Sequence, residues 1–337
     1  MNPPDERAPW TPDPAQRALW PGVSGNTING LGETEPRRPS PLYWHDPAKL
    51  AHGPLQNWMA ARSAGIAEMR AEGEAMRALR KRPLAPLAPV PVERNPEAWA
   101  GAIRAFALAH EADVVGVARM DPAWVFEGYE VNRRTIIMIG VAMAHDRLAL
   151  APAEPAGIEV LRQYHRGNRA ARALADWLRG QGHDAEPHGG PMAGAISLLP
   201  AAIAAGLGEL GKHGSLINRT LGSRFRLACV LTDLSVALGG PDDFGSDGFC
   251  ASCRVCERAC PPGAIGPEKQ MVRGERKWYV DFDACVPYFN EHHGCAICVA
   301  VCPWSRPGVA DRLVQKLARR AERTAGAGAD AHVEGTA

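Results

Sequence analysis

The sequence predicts a mixed fold in which an α/β domain is followed by a small cysteine-rich domain. Between residues 96 and 180 the pattern runs helix, strand, loop, strand and helix, an order typical of an α/β unit. Eight of the nine cysteines then fall within 53 residues, from Cys250 to Cys302. With 337 residues, of which 46% are hydrophobic, the chain is long enough to form about two domains.

Residues 1–95 are predicted to form an irregular N-terminal arm that ends in a helix. The first 60 or so residues are rich in Pro, Gly, Asn and Trp without a sustained period, whereas residues 55–82 have a helical composition. A proline-rich stretch, residues 83–91, then predicts an extended linker. Aromatic side chains favour docking over exposure, so we expect the arm to wrap the folded body. The aromatic residues concerned are Trp10, Trp20, Tyr43, Trp44 and Trp58.

Residues 96–240 are predicted to form the α/β domain. An amphipathic helix over 96–111 leads into a short buried strand at 112–118, and an apolar run at 135–144 predicts a second buried strand. That run is about half the length needed to cross a bilayer. A helix over 158–180 ends at a glycine pair, and an apolar helix follows at 197–205.

Residues 241–310 are predicted to form a ferredoxin-like domain, before a C-terminal helix and tail at 311–337. Cys250, Cys253, Cys256 and Cys260 follow the bacterial ferredoxin run C-x2-C-x2-C-x3-C-P. Residues 295–303 repeat its C-x2-C-x3-C-P ending. The pattern therefore predicts two 4Fe-4S clusters.

The fourth cysteine of such a run ligates the other cluster of the pair. We therefore assign one cluster to Cys250, Cys253, Cys256 and Cys302. The second cluster takes Cys260, Cys295 and Cys298, with Cys285 as the remaining thiol of the segment. Structural zinc and a disulfide framework are the alternatives, but zinc ribbons do not need the x3-C-P ending and disulfide scaffolds belong to small secreted chains. The ninth cysteine, Cys229, is expected to be a buried apolar residue.

Charge and terminal composition narrow the choice of partners. A formal net charge of +1 gives no bulk attraction to nucleic acid or to an anionic membrane. The N-terminus lacks the apolar region of a signal peptide, and no apolar stretch follows the Arg37-Arg38 pair. We therefore expect a cytoplasmic protein without a membrane span. Because no flavin or plant-type ferredoxin segment is evident, electrons are expected from a separate ferredoxin or flavodoxin.

Two glycine-rich stretches, residues 188–194 and 206–218, allow the backbone to approach a ligand closely. Taken alone, the second stretch is weak evidence for a ligand site and could equally be a tight turn.

Considered together, the motifs resemble the reductive dehalogenases and their relative epoxyqueuosine reductase. The resemblance rests on residues 206–218, the paired cysteine runs, Cys285-Val-Pro-Tyr and the segment from Gly294 to Trp304, and it covers about residues 100–308. It implies a nitroreductase-like domain that holds cobalamin and a ferredoxin-like domain that supplies electrons. Residues 184–190 miss the Asp-x-His-x-x-Gly spacing of a histidine that ligates cobalt. The resemblance therefore implies base-off cobalamin.

The residues expected to contact this cofactor come from the two glycine-rich stretches. For His188, the alternative is a solvated loop histidine. They are His188, Gly189, Met192, Gly206, Gly208, Gly211, Lys212, His213, Ser215 and Asn218.

Reductive cleavage of a carbon–halogen bond requires a proton donor. The resemblance implies that Tyr164 gives the proton and that Arg226 is its basic partner, with Lys212 as a second choice for the cation. A phenol with a pKa of about 10 is a slow donor, and a nearby cation stabilises the phenolate that remains. The alternatives are a helix tyrosine whose hydroxyl has an ordinary partner, and an arginine that is solvated or binds phosphate.

The segment after Cys285 is expected to fold over the cobalt face, which makes Tyr288 and Asn290 candidate substrate contacts. Relatives that accept halogenated phenols have an arginine in this region, and the asparagine here argues against an anionic phenol. The expected substrate is a small aromatic organohalide.

Two other functions remain open from the sequence. An epoxyqueuosine-reductase-like enzyme would use an aspartate before Pro191, where this chain has His188, and the chain lacks a helical-repeat extension for tRNA. A cluster-only electron carrier would not need the α/β region at 112–234.

Overall fold

The computed structural model describes residues 10–191 and 194–333. The N-terminal arm contains four helices, and the proline-rich linker after them has no regular structure. The predicted helical segment at 55–82 is therefore two helices, separated near Gly65. The helices are α1 (Pro14–Arg17), α2 (Gly25–Ile28), α3 (Gly53–Ala64) and α4 (Ala67–Lys81).

The next region consists of a four-stranded sheet with helices on both of its faces. Its helices are α5 (Pro96–Ala109), α6 (His145–Leu148), α7 (Glu154–Gly180) and α8 (Leu198–Ala204). Its strands are β1 (Val114–Arg119), β2 (Thr135–Ala142), β3 (Ala185–Gly189) and, further along the chain, β6 (Phe225–Thr232). All four predicted helices and strands between 96 and 180 are confirmed, with α7 starting four residues earlier than expected.

The sheet order is β1-β2-β6-β3, and every neighbouring pair is antiparallel. This corrects the α/β expectation for the domain, because an alternating α/β unit would have parallel strands. The segment between β1 and β2 carries only a short 3₁₀ turn, Pro122–Trp124, and no crossover helix that a parallel connection needs. The domain is therefore α+β.

Strand β2 is buried on both faces. Ile137, Ile139 and Val141 pack in one core with α5 and α7, whereas Ile136 and Met138 pack in a second core with α8. Side chains alternate between the two faces of a strand, so a sheet covered on both sides produces a continuous apolar run. Cys229 lies fully buried in the second core, as expected.

The glycine-rich stretch after α8 forms a small hairpin, β4 (Glu209–Leu210) with β5 (Leu216–Ile217). The cysteine-rich segment contributes to a third hydrophobic core of the chain. This core includes Trp278 and Trp304 and packs against the C-terminal helix. Its elements are α9 (Ser246–Ser252), α10 (Val255–Ala259), β7 (Gln270–Val272), β8 (Glu275–Lys277), α11 (Phe282–Glu291), α12 (Ile297–Ala300) and α13 (Val309–Val333).

The N-terminal arm wraps the body, as its aromatic content predicts. Tyr43 donates a hydrogen bond to Asn290 Oδ1 over 2.7 Å, and Gln16 Nε2 donates to the carbonyl of Pro287 over 3.0 Å, both on α11. On the other side Arg38 donates to the carbonyls of Val125 and Tyr129, at 2.8 and 2.6 Å. These contacts tie the arm to both the sheet domain and the cysteine-rich segment.

Among residues 10–191 and 194–333, no helix has the length and apolar character needed to cross a membrane.

Candidate active site

The structure gathers the eight clustered cysteines into two groups. In the first group, the pKa of the Cys250 thiol is raised to about 12 by burial, and Cys302, Cys256 and Cys253 lie close enough to raise it further. Cys302 reaches this group from the far end of the segment, as the crossed ferredoxin pattern requires.

The second group consists of Cys260, Cys285, Cys295 and Cys298. Burial raises the pKa of Cys285 to about 12, and Cys260 and Cys295 add to that effect. Burial raises the pKa of Cys298 well above its ordinary value, and Cys295, Cys285 and Cys260 add to that effect, as does Cys256 of the first group. The assignment of these thiols to two clusters stays a prediction, with which these proximities are compatible.

The chemical alternatives for these cysteines can be compared with the geometry. All nine are free thiols, so the described chain contains no disulfide framework. Within residues 10–191 and 194–333, no three His, Cys, Asp or Glu side chains converge as they would around one metal ion.

A large cavity of about 780 Å³ lies directly against the second cysteine group. All four thiols of that group line it, and the opposite wall includes Ser197, His213, Gly214 and Arg226 from the sheet domain. The lining of this cavity also includes Trp278, several aliphatic side chains and the cationic residues Arg37, Arg273 and Lys277. The cavity thus joins the sheet domain to the cysteine-rich segment.

His213 lies on this cavity with both ring nitrogens occupied. The backbone N–H of Ser215 donates to Nδ1 over 3.1 Å, so the neutral ring carries its proton on Nε2, which lies 2.9 Å from Ser223 Oγ. Burial lowers the pKa of His213 to about 4, and the Arg226 charge acts in the same direction. The Ser223 hydroxyl in turn lies 3.7 Å from Cys302 Sγ, within reach for a hydrogen bond to sulfur.

The other residues expected from the second glycine-rich stretch shape the loop. Gly208 has φ +141°, and a Cβ there would meet the Ile217 carbonyl oxygen at 2.0 Å. Asn218 donates to the Leu207 carbonyl over 2.9 Å and accepts from the backbone of Thr220 and Leu221. The large cavity is not lined by Gly206, Gly208, Gly211 or Asn218, all of which are described residues. Their positions indicate a structural role in the hairpin.

Lys212 points away from the position expected for a cation beside Tyr164. Its ammonium donates to the Cys253 carbonyl over 3.0 Å and lies 3.9 Å from Glu257. The Lys212 side chain is 2% exposed, and its ammonium group contacts the first cysteine group. The second-choice assignment of Lys212 as the partner of Tyr164 is therefore corrected.

A second cavity, of about 450 Å³, shares Ser197, Leu199, Gly214 and Arg226 with the first. Tyr164 lies on its wall, and the guanidinium carbon of Arg226 lies 5.5 Å from the centre of the Tyr164 ring. Arg226 Nε is buried and has no hydrogen-bond partner among the described residues. The structure thus brings together the two side chains that were paired from the sequence.

Tyr164 reaches this position because Gly190 leaves room for its ring. A Cβ on Gly190 would lie 2.3 Å from Tyr164 Cε1. The turn itself is held by Asn168, whose amide donates to the carbonyls of Tyr164 and Gly190, and by Arg80, which donates to the carbonyls of Gly189 and Gly190. The first glycine-rich stretch therefore positions a side chain of α7.

His188 and Gly189 line a separate pocket of about 220 Å³ beside Arg80. His188 belongs to β3 and not to a loop, and its Nε2 is buried without a hydrogen-bond partner in the described chain. Burial lowers its pKa, against the opposing effect of Glu186. The placement in a strand contradicts the alternative of a solvated loop histidine, while the expected cofactor contact of His188 stays a prediction. Met192, also expected at the cofactor, lies outside the described residues.

Asn290 does not lie on either cavity, which corrects its assignment as a substrate contact. Its Oδ1 accepts from Tyr43 and its Nδ2 donates to Gln16 Oε1 over 2.8 Å, so both ends of the amide hold the arm. Tyr288, by contrast, lines the large cavity and stacks on His292 at a ring distance of 3.9 Å. Ser215 lines the smaller cavity next to Gly214.

Three residues of the arm line the smaller cavity and were not assigned to it from the sequence. They are Tyr43, Trp44 and His45. Their aromatic composition predicted docking, but sequence patterns gave no sign of the surface on which they dock.

Comparison with known proteins agrees with this arrangement. A family model described as a 4Fe-4S dicluster domain matches residues 249–305. Tetrachloroethene reductive dehalogenase of Desulfitobacterium hafniense is 32% identical over 208 residues, which cover 58% of this chain and 37% of the relative. Over this region the chain is similar in sequence to the reductive dehalogenases. This confirms the resemblance found in the sequence and the iron–sulfur character of the cysteine-rich segment.

A solved structure and a second enzyme extend the comparison. A catabolic reductive dehalogenase in complex with 3-bromo-4-hydroxybenzoic acid has a TM-score of 0.67 at 27% identity, over 74% of this chain and 38% of that chain. Epoxyqueuosine reductase of Leadbetterella byssophila is 34% identical over 118 residues, which cover 30% of this chain and 34% of the relative. The chain spans less than half of the length of the reductive dehalogenases that it matches.

The residues of the large cavity fit the corrinoid that the dehalogenase relationship implies. Apolar walls suit a macrocycle, and the cationic residues Arg37, Arg273 and Lys277 suit its amide and phosphate groups. His213 is the histidine on the described wall, and both its nitrogens have partners. A corrinoid bound there would lie directly against the second cysteine group.

Proposed function

We propose that this chain is a cobalamin-dependent reductive dehalogenase that acts on a small, aromatic organohalide. The observation that carries the proposal is the Tyr164–Arg226 pair, which lies on a cavity that adjoins a larger one lined by four cysteines. In this proposal the proton donor, the cofactor and the cluster that supplies electrons would occupy adjoining sites.

The net reaction replaces the halogen of the substrate by hydrogen. Two electrons and one proton are consumed, the carbon–halogen bond breaks, a carbon–hydrogen bond forms and the halogen leaves as halide. A cobalamin bound in the larger cavity would supply a strongly reducing cobalt centre. Electrons would come through two 4Fe-4S clusters, which reach about −400 mV and lower in ferredoxins, from an external ferredoxin or flavodoxin.

Tyr164 supplies the proton in this proposal. General acids of this kind contribute roughly 10²- to 10⁴-fold to a rate. Arg226 provides a cation next to the phenol ring, which stabilises the phenolate left after proton transfer. The unpartnered Arg226 Nε leaves one donor for a group that enters the cavity.

We propose the base-off form without a protein histidine on cobalt, and the surroundings of His213 support the second part of this proposal. Its Nδ1 accepts from Ser215 and its Nε2 donates to Ser223, so neither nitrogen retains a lone pair for cobalt. His188 lies in a different pocket. A lower ligand from the described cavity wall is therefore not part of the proposal.

The size and lining of the smaller cavity support the substrate class. A volume of about 450 Å³ suits one small molecule, and rings of Tyr43, Trp44, Phe126 and Phe225 lie on its wall. Such walls favour flat aromatic ligands through offset and edge contacts. The nine free thiols are also in keeping with a reducing, cytoplasmic location.

The test is halide release by anaerobically reconstituted protein with a chemical reductant and a panel of bromo- and chloroarenes. We expect release by the wild type and a rate about 10²- to 10⁴-fold lower for Tyr164→Phe. Arg226→Lys, which keeps the charge, should retain more activity than Arg226→Gln. Corrinoid and cluster spectra should be unchanged in all three variants, and full activity of Tyr164→Phe would refute the proton-donor role.

The alternatives predict different results from the same preparation. Two clusters without any bound corrinoid would indicate an electron carrier. A bound corrinoid with no halide released from any arene would favour an epoxyqueuosine-reductase-like reaction, for which the shared 118-residue region is the supporting observation.

A further inference from the structure

His45 lines the smaller cavity and carries a buried ring nitrogen that has no hydrogen-bond partner among the described residues. The residue belongs to the N-terminal arm, lines that cavity together with Tyr164 and Arg226, and is 7% exposed. Its Nε2 is buried and has no hydrogen-bond partner among the described residues. A buried polar atom without a partner costs about 1–3 kcal/mol, so its presence at a ligand cavity calls for an explanation.

The hydrogen bond at the other nitrogen fixes the chemistry of Nε2. His45 Nδ1 lies 3.0 Å from the carbonyl oxygen of Tyr43, which can only accept. The proton of the neutral ring is therefore on Nδ1, and Nε2 presents a lone pair. The atom is an acceptor and will match a donor on the ligand.

The orientation of the ring is fixed by its surroundings. Phe126 makes an edge contact with it at a ring distance of 4.5 Å, and Tyr129 lies 5.6 Å away. The backbone is held by Gln56, whose Nε2 donates to the His45 carbonyl over 2.8 Å. An acceptor held in this way loses little conformational freedom when a ligand binds.

We infer that His45 is a specificity-determining residue that accepts a hydrogen bond from a hydroxyl or amine group of the substrate. The inference rests on the proposed function and narrows its substrate class to organohalides that carry such a donor in neutral form. Tyr164 and Arg226 offer donors from their side of the cavity, whereas His45 offers the complementary acceptor. Ethers of the same shape would leave Nε2 unpaired.

Binding of a matched ligand pair tests the role of His45 independently of catalysis. Phenol and anisole differ in the donor and lack a halogen, so their dissociation constants can be measured by calorimetry on the reconstituted holoenzyme. We expect wild type to bind phenol about 10-fold more tightly than anisole, as one net hydrogen bond predicts. His45→Phe should remove the preference, and His45→Gln, which retains an acceptor, should keep part of it.

The results distinguish this inference from the proposed function. Equal affinities for the two ligands in wild type would overturn the inference, and so would a His45→Phe variant that keeps the wild-type preference. If His45→Phe does not fold, loss of preference in His45→Asn, whose shorter side chain withdraws the acceptor, against retention in His45→Gln decides the question. A preference that depends on His45 without halide release from 2-bromophenol would uphold the inference and refute dehalogenation.

Discussion

Removal of the Ser223 hydroxyl should lower the reduction potential of the cluster held by Cys250, Cys253, Cys256 and Cys302. Ser223 is fully buried, and His213 Nε2 donates to its oxygen, which directs the hydroxyl proton towards Cys302 Sγ at 3.7 Å. Reduction adds negative charge to the cluster, and a donor to its sulfur stabilises the reduced form. Ser223→Ala deletes that donor.

The size of the shift follows from the strength of one hydrogen bond. A net contribution of about 0.5–1.5 kcal/mol corresponds to roughly 20–60 mV for one electron, since a tenfold change in the equilibrium constant is about 59 mV. The distance of 3.7 Å is within the usual range for sulfur acceptors. The hydrogen bond is present in both redox states, so only the difference between its strengths in the oxidised and the reduced cluster shifts the potential. We therefore expect a decrease of about 20–40 mV.

EPR-monitored redox titration of the two clusters is the assay. Ser246→Ala is a matched control, because Ser246 is also fully buried but its hydroxyl has no hydrogen-bond partner in the described chain. We expect this control and the second cluster of Ser223→Ala to keep wild-type potentials. Unchanged potentials of both clusters in a folded, fully loaded Ser223→Ala protein would refute the reasoning.

Three further predictions concern stability, the arm and cluster assembly. Burial lowers the pKa of His213 to about 4, below the ordinary 6.5, so the unfolded chain binds the proton more readily than the folded chain does. The stability that is present above pH 6.5 is therefore lost as the pH falls towards 4. Urea unfolding should show about 2 kcal/mol less stability at pH 5 than at pH 7, and a smaller loss in His213→Gln. Arg38→Ala should expose the arm to limited proteolysis more than Arg38→Lys does, because it removes donors to the Val125 and Tyr129 carbonyls; equal cleavage of both would contradict this. Cys285→Ser should roughly halve the bound iron, and an unchanged iron content would remove Cys285 from the ligands.

The local elements of the fold could be predicted because their signals are local. Strand β2 was evident as an apolar run, and Asn95 before α5 is a typical N-cap whose side chain accepts from the Ala98 backbone. The strand direction could not be predicted in this way. A run buried on both faces favours a parallel sheet, but here the second face is covered by α8.

The candidate site was predictable where spacing determines geometry. The cysteine runs predict which thiols share a group because a short turn brings its own cysteines together, and the interactions of Cys250 and Cys285 with their neighbours are compatible with that prediction. Asn290 shows the limit of such reasoning. It lies five residues after Cys285 on α11, which is about 140° around the helix, so a residue expected to share the cavity faces the arm instead. Tyr288, three residues after Cys285, stays on the cavity side.

The arm residues at the cavity could not be assigned because their contacts are remote in sequence. Tyr43 and Asn290 are separated by 247 positions, and no periodic pattern relates them. Their hydrogen bond holds the chain just before His45, while Gln56 holds His45 itself. The wall that recognises the substrate is therefore built by a segment separate in sequence from Tyr164, Arg226 and the cysteines. Substitutions in the arm can thus change which ligand binds while the proton donor and the path of the electrons stay the same.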